Sequence, residues 1–286
     1  MKIFLKIMGI FSFVLILIIG LVFYKYNALS KQTFNISSPI NISTLVSEGD
    51  VALGKRIYTV RNGCIDCHGE HLAGAIIMDE PAMGNIHSAN ISNLKDWTDD
   101  EIAGAIRYGI HKSGRSLRFM PSFDFEGLSK EDIASVIKYI RSVTPVEKPS
   151  HENTFGPVAK FLSVFGQMPV MFPALIVDQT KGFAEKPVEA PTAEFGKYLV
   201  NSCTGCHGRE LRGGKIPGGD PSWPVASNIR FGKASGMTEK EFSKIISTGI
   251  AKSTNKKVRL PMPISALQAM NELEKKSIWL YLSSLN

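Results

Sequence analysis

The sequence predicts an all-α protein in which two tandem copies of a small helical domain follow an N-terminal transmembrane helix. Three observations predict this fold: an uncharged apolar run near the N-terminus, an internal repeat, and helix-capping signals that recur at matching places. With 286 residues the chain is long enough for two domains. No convincing alternating strand pattern interrupts the predicted helices.

The first predicted element is a membrane-spanning helix built on the apolar run at residues 7–24. At a rise of 1.5 Å per residue such a run is about 27 Å long, which is just enough to cross a bilayer core. Candidate interfacial residues follow it: Tyr24, Lys25 and Tyr26. A cleavable signal peptide is the alternative, with a weak small-residue site at residues 28–30. We expect residues 1–26 to be an uncleaved, single-pass signal anchor.

An internal repeat defines the rest of the chain. Matching segments recur at offsets of 138 to 142 residues: 89–91 with 227–229, 108–110 with 248–250, and Met120-Pro121 with Met262-Pro263. We therefore predict one domain at residues 48–147 and a second at residues 191–286. Residues 27–47 are expected to be a polar tether that lets the domains stand off the membrane.

A Pro-rich connector at residues 148–190 joins the two predicted domains. Its middle, residues 155–177, is apolar enough to suggest a second membrane span. Lys160 and several prolines interrupt this stretch, however, and a second crossing would place the two repeats on opposite sides of the membrane. We expect the stretch to pack between the domains.

Capping signals place similar helices in both copies. Thr98 and Thr238 each precede a glutamate by three residues, which is the capping-box pattern, and a glycine follows eleven residues after each threonine. These signals predict one helix between each threonine and its glycine. The last helix of each copy is predicted to begin after Ser129 and near Asn271.

All four cysteines of the chain lie in two pentapeptides of the form C-x-x-C-H. The motifs are Cys64-Ile65-Asp66-Cys67-His68 and Cys203-Thr204-Gly205-Cys206-His207. This is the attachment signature of c-type haem, in which both thiols form thioethers and the histidine binds iron. Structural zinc and disulfides are the alternatives, but paired zinc knuckles are normally only about 15–20 residues apart. We expect two covalently bound haem c groups, with His68 and His207 as proximal iron ligands.

An electron-transfer haem needs a second axial ligand. Met120 and Met262 each precede a proline, occupy the same place in the repeat, and follow the motif histidines by 52 and 55 residues. We predict that Met120 binds the iron of haem 1 and Met262 the iron of haem 2. Other methionines lack such a matched partner and are expected to fill the core or lie near loops.

The remaining polar groups near these motifs have more ordinary interpretations. The other histidines are expected to be surface or structural groups, with one of them a candidate competing ligand or propionate partner: His71, His87, His151 and the candidate His111. Both methionine loops are basic, through Lys112, Arg115 and Arg118 in the first and Lys252, Lys256, Lys257 and Arg259 in the second. These charges are either solvated or neutralise propionates and dock an acidic partner.

The chain resembles bacterial dihaem cytochromes c of the kind found as cytochrome subunits of membrane alcohol, aldehyde and gluconate dehydrogenases. The resemblance covers about residues 48–286 and rests on segments 54–56, 67–69, 120–121, 132–139, 195–200, 206–208, 211–214, 220–223 and 262–263. It implies two class-I-like cytochrome c folds, in which an N-terminal helix crosses the C-terminal helix beside the haem. Bacterial haem attachment occurs outside the cytoplasmic membrane, so the resemblance also implies haem domains in the periplasm.

We therefore expect a periplasmic dihaem cytochrome c, anchored in the inner membrane, that relays electrons between a respiratory donor and a terminal acceptor. The expected donor is a dehydrogenase or a quinol-linked complex. No catalytic acid, base or nucleophile set stands out, so we expect a carrier or an electron-transfer subunit. The alternative is a haem enzyme, such as a dihaem peroxidase or a sulfur-compound oxidoreductase, with one open iron. A net charge of +7 favours acidic partners or anionic lipid, but no basic cluster with aromatics indicates nucleic-acid binding.

Overall fold

A computed structural model describes residues 1–36, 39–148, 151–251 and 255–286, and most of the regular structure in these ranges is helical. Helix α1, Lys2–Lys31, begins the chain and is long and apolar enough to cross a membrane. By length and composition, α1 is a candidate membrane anchor or signal sequence. Only Val22 and Tyr26 of this helix are buried against the rest of the protein.

The helices that follow fall into two similar series on either side of α7. The first series is α2 Ser43–Glu48, α3 Val51–Arg56 with a π-helical turn Ile57–Arg61, α4 Cys64–His68, α5 Asp99–Tyr108 and α6 Lys130–Ser142. Helix α7, Pro157–Val164, lies in the connector. The second series is α8 Ala193–Val200, α9 Thr204–His207, α10 Glu239–Thr248, α11 Ile264–Gln268 and α12 Glu272–Ser284. Short 3₁₀ turns lie at Ser122–Asp124, Pro169–Met171, Pro173–Leu175, Asn201–Cys203 and Lys233–Ser235.

The predicted helix starts and stops are confirmed. Thr98 and Thr238 form complete capping boxes, and α5 and α10 end at glycines with φ of 67°. The Ser129 hydroxyl accepts a hydrogen bond from the Asp132 N–H at the start of α6. Asn271 forms a third capping box at the start of α12. These side chains satisfy backbone donors that a helix leaves unpaired at its N-terminus.

A short β-hairpin departs from the all-α prediction. Strands β1, Ile76–Glu80, and β2, Gly84–His87, pair antiparallel, with an irregular register between Ile76 and Met78. Their sequences show no clear alternation of apolar and polar residues, and both strands are short, so sequence periodicity does not predict them. Asn153 stabilises the end of β2 through two hydrogen bonds with the His87 backbone.

In each half an early helix crosses the last helix at a glycine. Gly54 of α3 lies against the Ser135 carbonyl of α6, and Gly196 of α8 lies against the Ser277 carbonyl of α12. A Cβ atom at either glycine would collide with the facing backbone. The glycines therefore allow both helix pairs to approach backbone to backbone.

Among the described residues between α1 and α3, Ile40, Ile42 and Val46 pack on the first half, which differs from the polar tether expected over residues 27–47. Helix α1 extends to Lys31, and Ile40 and Ile42 are buried in the first core. The Ile42 N–H donates to Asp100 Oδ1 at 2.8 Å. Burial of the two isoleucines holds this segment on the domain. The segment is polar on average, so its composition alone does not predict this packing.

The apolar middle of the connector lies mainly on α1 and the first half, and not between the halves as its sequence suggested. Met171 and Phe172 cluster with Tyr26 of α1, whereas Ala174 and Val177 join the first core. The later part of the connector reaches both halves: Lys186 pairs with Asp132 at 2.7 Å, and the Ala190 carbonyl accepts a hydrogen bond from Ser277.

A buried ionic network joins the two halves. Glu274 of α12 is fully buried and accepts hydrogen bonds from Arg56 and from Arg61, whose Nε lies 2.8 Å from Oε1. Arg61 also makes two hydrogen bonds of 2.9 Å to Glu189. Burial acts to raise the pKa of Glu274, but the hydrogen bonds from both arginines outweigh it and hold the pKa below its ordinary value. Glu274 is therefore ionised at neutral pH.

Candidate haem sites

The first C-x-x-C-H motif forms α4 and opens onto a cavity of about 620 Å³. This volume lies within the usual range of about 300–1,000 Å³ for ligand and cofactor pockets. Cys64, Cys67, His68 and Met120 all line the cavity. Apolar side chains make up much of the remaining wall: Ile91, Leu94, Trp97, Ile102, Ile106 and Ile140. Such a cavity fits a flat apolar macrocycle held between a histidine and a methionine.

The ring of His68 is oriented by a backbone carbonyl. Its Nδ1 lies 2.9 Å from the Ala89 carbonyl, which can only accept, so Nδ1 carries the proton and Nε2 keeps its lone pair. Burial lowers the pKa of His68, although the hydrogen bond to Ala89 opposes that shift. The imidazole is therefore neutral, which is the form that binds a metal.

His207 has the same arrangement in the second half. Its Nδ1 donates to the Ser227 carbonyl at 2.7 Å, and the side chain is buried. Ser227 and Ala89 are the repeat-matched positions at the start of the 89–91 and 227–229 segments. An alanine and a serine can fill this matched position because the orienting group is the backbone carbonyl, not the side chain.

The backbone turns sharply after each motif at a glycine. Gly69 has φ 74° and Gly208 has φ 76°, both in the left-handed region that side chains with a Cβ rarely adopt. The Gly69 carbonyl accepts a hydrogen bond of 2.7 Å from the Tyr58 hydroxyl, which is buried beside the first motif. These turns end α4 and α9 directly after their histidines.

The two predicted methionine ligands lie in loops of matching geometry. The Met120 carbonyl accepts from the Ser122 N–H at 2.9 Å, and the Met262 carbonyl accepts from the Ile264 N–H at 2.9 Å. The intervening prolines have nearly equal backbone angles, with φ −82° and ψ 59° in the first loop and φ −80° and ψ 69° in the second. Each loop is therefore a tight turn that leads into a short helix.

The methionines also pack against separate cores. Met120 and Cys64 contact the core of the first half, whereas Met262 and Cys203 contact the core of the second half. Each half thus brings its own motif and its own methionine to one apolar cluster.

The four thiols are unpaired and largely enclosed. Burial raises the pKa of Cys64 to about 12 and that of Cys203 to about 11. The thiols are therefore protonated at neutral pH and unlike those of a reactive redox pair. Within the described residues, no three His, Cys, Asp or Glu side chains are grouped as a metal-ion site would require. The zinc alternative thus lacks a ligand set in these ranges.

Several cavity residues were not predicted from the sequence. Ser202, next to Cys203, and Asp124 both line the first cavity, and Asp124 lies against Gly205 of the second motif. Burial raises the pKa of Asp124 to about 7, with Arg209 opposing the shift. The contact between Asp124 and Gly205 brings the two motif regions together across the interface. Only the three-dimensional packing of the halves reveals this, because no sequence pattern links these positions.

Three histidines predicted to be surface or structural groups line the first cavity. His87 and His151 stack with ring centroids 4.3 Å apart, and His111 packs edge-on against Trp97 at 4.9 Å. His71 follows α4 in an exposed turn.

The basic side chains of the first methionine loop contact the protein. Arg118 donates to the Tyr26 hydroxyl at 3.0 Å and Lys112 to the Asp96 carbonyl at 3.2 Å. Arg115 donates to Ser113. In the second loop, Lys252 lies outside the described residues.

A cytochrome c family profile matches residues 51–144. Residues 51–144 form a cytochrome c domain. The match begins at α3 and ends just after α6, so the cytochrome c domain includes the Gly54 crossing, the first C-x-x-C-H motif and Met120. A domain of this family implies covalently bound haem c.

The chain is also similar to curated cytochrome c subunits of dehydrogenases. The chain is 30% identical over 193 residues to the alcohol dehydrogenase (quinone) cytochrome c subunits of Gluconacetobacter polyoxogenes and Komagataeibacter europaeus. Those matches cover 62% of this chain and 40% of each relative. The chain is also 27% identical over 180 residues to the gluconate 2-dehydrogenase cytochrome c subunit of Pantoea cypripedii, covering 55% of this chain and 38% of the relative. The matches thus span about two fifths of these relatives, and they support an electron-transfer role.

Proposed function

We propose that this protein is a membrane-anchored periplasmic dihaem cytochrome c that relays single electrons from a respiratory donor to a terminal acceptor. The observation that carries the proposal is the duplicated site. His68 and His207 are oriented by matching carbonyls, and Met120 and Met262 lie in matching turns. A haem enzyme would instead be expected to have one open site and one closed site.

The proposed ligands are His68 and Met120 in the first site and His207 and Met262 in the second, with Cys64, Cys67, Cys203 and Cys206 as thioether anchors. Bound haem supplies the one-electron iron couple. The protein fixes the two imidazoles through backbone carbonyls, and the methionine sulfurs would supply the second ligand to each iron. The apolar part of the first cavity wall would exclude water. With both methionines bound, neither iron would keep an open position for substrate.

We propose that residues 48–147 and 191–286 are two cytochrome c domains and that residues 148–190 connect them. The matched glycine crossings at Gly54 and Gly196 support this division. Helix α1 supports a single-pass inner-membrane anchor, and covalent haem attachment supports a periplasmic location for the domains. We propose two haem c groups in the chain, one in each domain.

The relatives suggest where the electrons come from. Their names describe cytochrome c subunits of quinone-linked alcohol and gluconate 2-dehydrogenases. We propose that the donor is a membrane dehydrogenase or a quinol-linked complex and that the acceptor is a terminal oxidase or another redox protein. The net charge of +7 favours acidic docking surfaces on such partners.

Isolation of the native complex, followed by a haem-reduction assay, tests the proposed relay. The haem-stained native complex is solubilised from membranes, its other subunits are identified, and haem reduction is followed after donor substrate is added. The relay predicts that both haems are reduced by the donor and reoxidised by the acceptor. Direct turnover of peroxide or of a sulfur compound by the isolated chain would instead support the haem-enzyme alternative.

A further inference from the structure

The connector forms an apolar surface beside the end of α1. Five large side chains of this surface, called the connector patch below, are between 42% and 54% exposed: Val158, Phe161, Phe165, Leu175 and Ile176. The Phe161 and Phe165 rings lie 4.6 Å apart, so the patch is continuous at that point. Residues 154–177 contain no acidic residue, and Lys160 is their one charged side chain. Exposed apolar patches of this kind usually mark an interaction site.

The position of the patch is fixed by packing on α1. Tyr26, which is buried, clusters with Met171 and Phe172, and the Tyr26 and Phe172 rings meet edge to face at 5.7 Å. Lys160 Nζ lies 5.1 Å from the Phe23 ring and 5.6 Å from the Tyr26 ring. The connector therefore meets α1 where the apolar run at residues 7–24 ends.

This position determines what the patch can contact. If α1 crosses the bilayer, as the proposed function requires, residues 23–26 lie at the level of the lipid headgroups. A patch held beside them lies in the same layer. Lys25 and Lys160 then lie where a cationic side chain can reach phosphate while its stem stays in the apolar layer.

We propose that the connector patch inserts into the interfacial layer of an anionic phospholipid bilayer, next to α1. The inference rests on the proposed anchor. It adds a second membrane contact, which seats the first cytochrome c domain at a fixed height and orientation. Helix α7 acts as an interfacial helix, with its apolar face toward the acyl chains.

Spin-label accessibility in the full-length haem protein tests this proposal. Phe165→Cys carries a nitroxide in vesicles of phosphatidylethanolamine and phosphatidylglycerol, with the haems ferric and the same sample under nitrogen as the baseline that subtracts relaxation by the haem iron. Val225→Cys, at a 69% exposed valine of the second half, is the matched control. We expect the ratio of oxygen to nickel-chelate accessibility to be several-fold higher at Phe165 than at Val225. Equal, water-like ratios at both sites would overturn the proposal, as would a Phe165 label shielded from both reagents, because that indicates protein contact.

A third label separates this inference from the anchor itself. Phe13→Cys lies in the exposed apolar part of α1. A membrane-buried Phe13 label with a water-exposed Phe165 label would refute the inference and leave the anchor intact. Loss of Phe13 from the mature protein by cleavage, or its exposure to water, would refute both. An unchanged haem spectrum in each variant shows that the label has not disrupted the fold.

Discussion

His68 and Met120 line the same cavity of about 620 Å³, although 52 residues separate them in the chain. Apolar side chains form much of the cavity wall, and the His68 ring is fixed by the Ala89 carbonyl. Lining one cavity is a condition that a histidine and a methionine must meet if both are to bind the iron of one haem. The matching turn at Met262 extends the same interpretation to the second half.

Removing each methionine should affect one haem at a time. We expect Met120→Ala to open the first iron and Met262→Ala the second, because each sulfur closes a separate site. The opened haem should bind cyanide or carbon monoxide, and its reduction potential should fall because thioether ligation favours ferrous iron. Ferric and ferrous absorption spectra with added ligand measure this change. Met78→Ala, on β1, is the control and should leave both haems closed. If neither Met120→Ala nor Met262→Ala bound cyanide or carbon monoxide, the assignment would be contradicted.

The glycine crossings should tolerate no side chain. We expect Gly54→Ala and Gly196→Ala each to destabilise its own half by roughly 1–3 kcal/mol, since the added Cβ meets backbone that cannot move aside. Alanine would otherwise stabilise a helix relative to glycine, so the sign of the change isolates the contact. Denaturant unfolding followed at the haem bands measures it. Gly182→Ala adds a Cβ in open space and should be nearly neutral.

Neutralising Glu274 should weaken the junction between the halves. Glu274→Gln leaves Arg56 and Arg61 without their shared buried carboxylate, and loss of one partner of a buried pair costs about 3 kcal/mol. Equilibrium unfolding measures the change in free energy. The control is Glu239→Gln, which breaks an exposed pair with Lys276 and should change stability by less than about 1 kcal/mol. Equal effects in the two variants would show that the buried network does not hold the junction.

Asp124 should make stability depend on pH. Burial raises its folded-state pKa to about 7, above the value of about 4 expected in the unfolded chain. The folded state therefore holds the proton more tightly, and stability should fall as pH rises from about 4 to about 7 and then level off. Nearby Arg209 lowers and Glu126 raises this pKa. Asp124→Asn should remove that part of the slope in unfolding free energy measured against pH; an unchanged slope would count against a buried, protonated Asp124.

Much of the helical framework could be predicted because its signals are local. The capping boxes at Thr98 and Thr238 and the helix start at Asn271 each depend on residues three positions apart. The motif histidines were proposed from the C-x-x-C-H pattern, and their methionines from the Met-Pro pairs and the repeat. The carbonyls that orient the histidines, and the cavity that His68 and Met120 both line, are visible only in the structure.

The features that escaped prediction depend on long-range packing. Ile42 looks like part of a polar tether, yet it is fully buried in the first core. His87 and His151 are 64 residues apart and meet only because the hairpin and the connector lie side by side. Asp124 reaches Gly205 across the junction of the halves. None of these contacts follows from helix periodicity or capping.

The most direct test of the proposed function is a haem count combined with ferric near-infrared magnetic circular dichroism on the purified full-length protein. The pyridine haemochrome assay should give two haem c per chain. The dichroism spectrum should show methionine-to-iron charge transfer from both haems, both low-spin. One haem per chain, or one high-spin haem accessible to cyanide, would contradict the account of two closed relay sites.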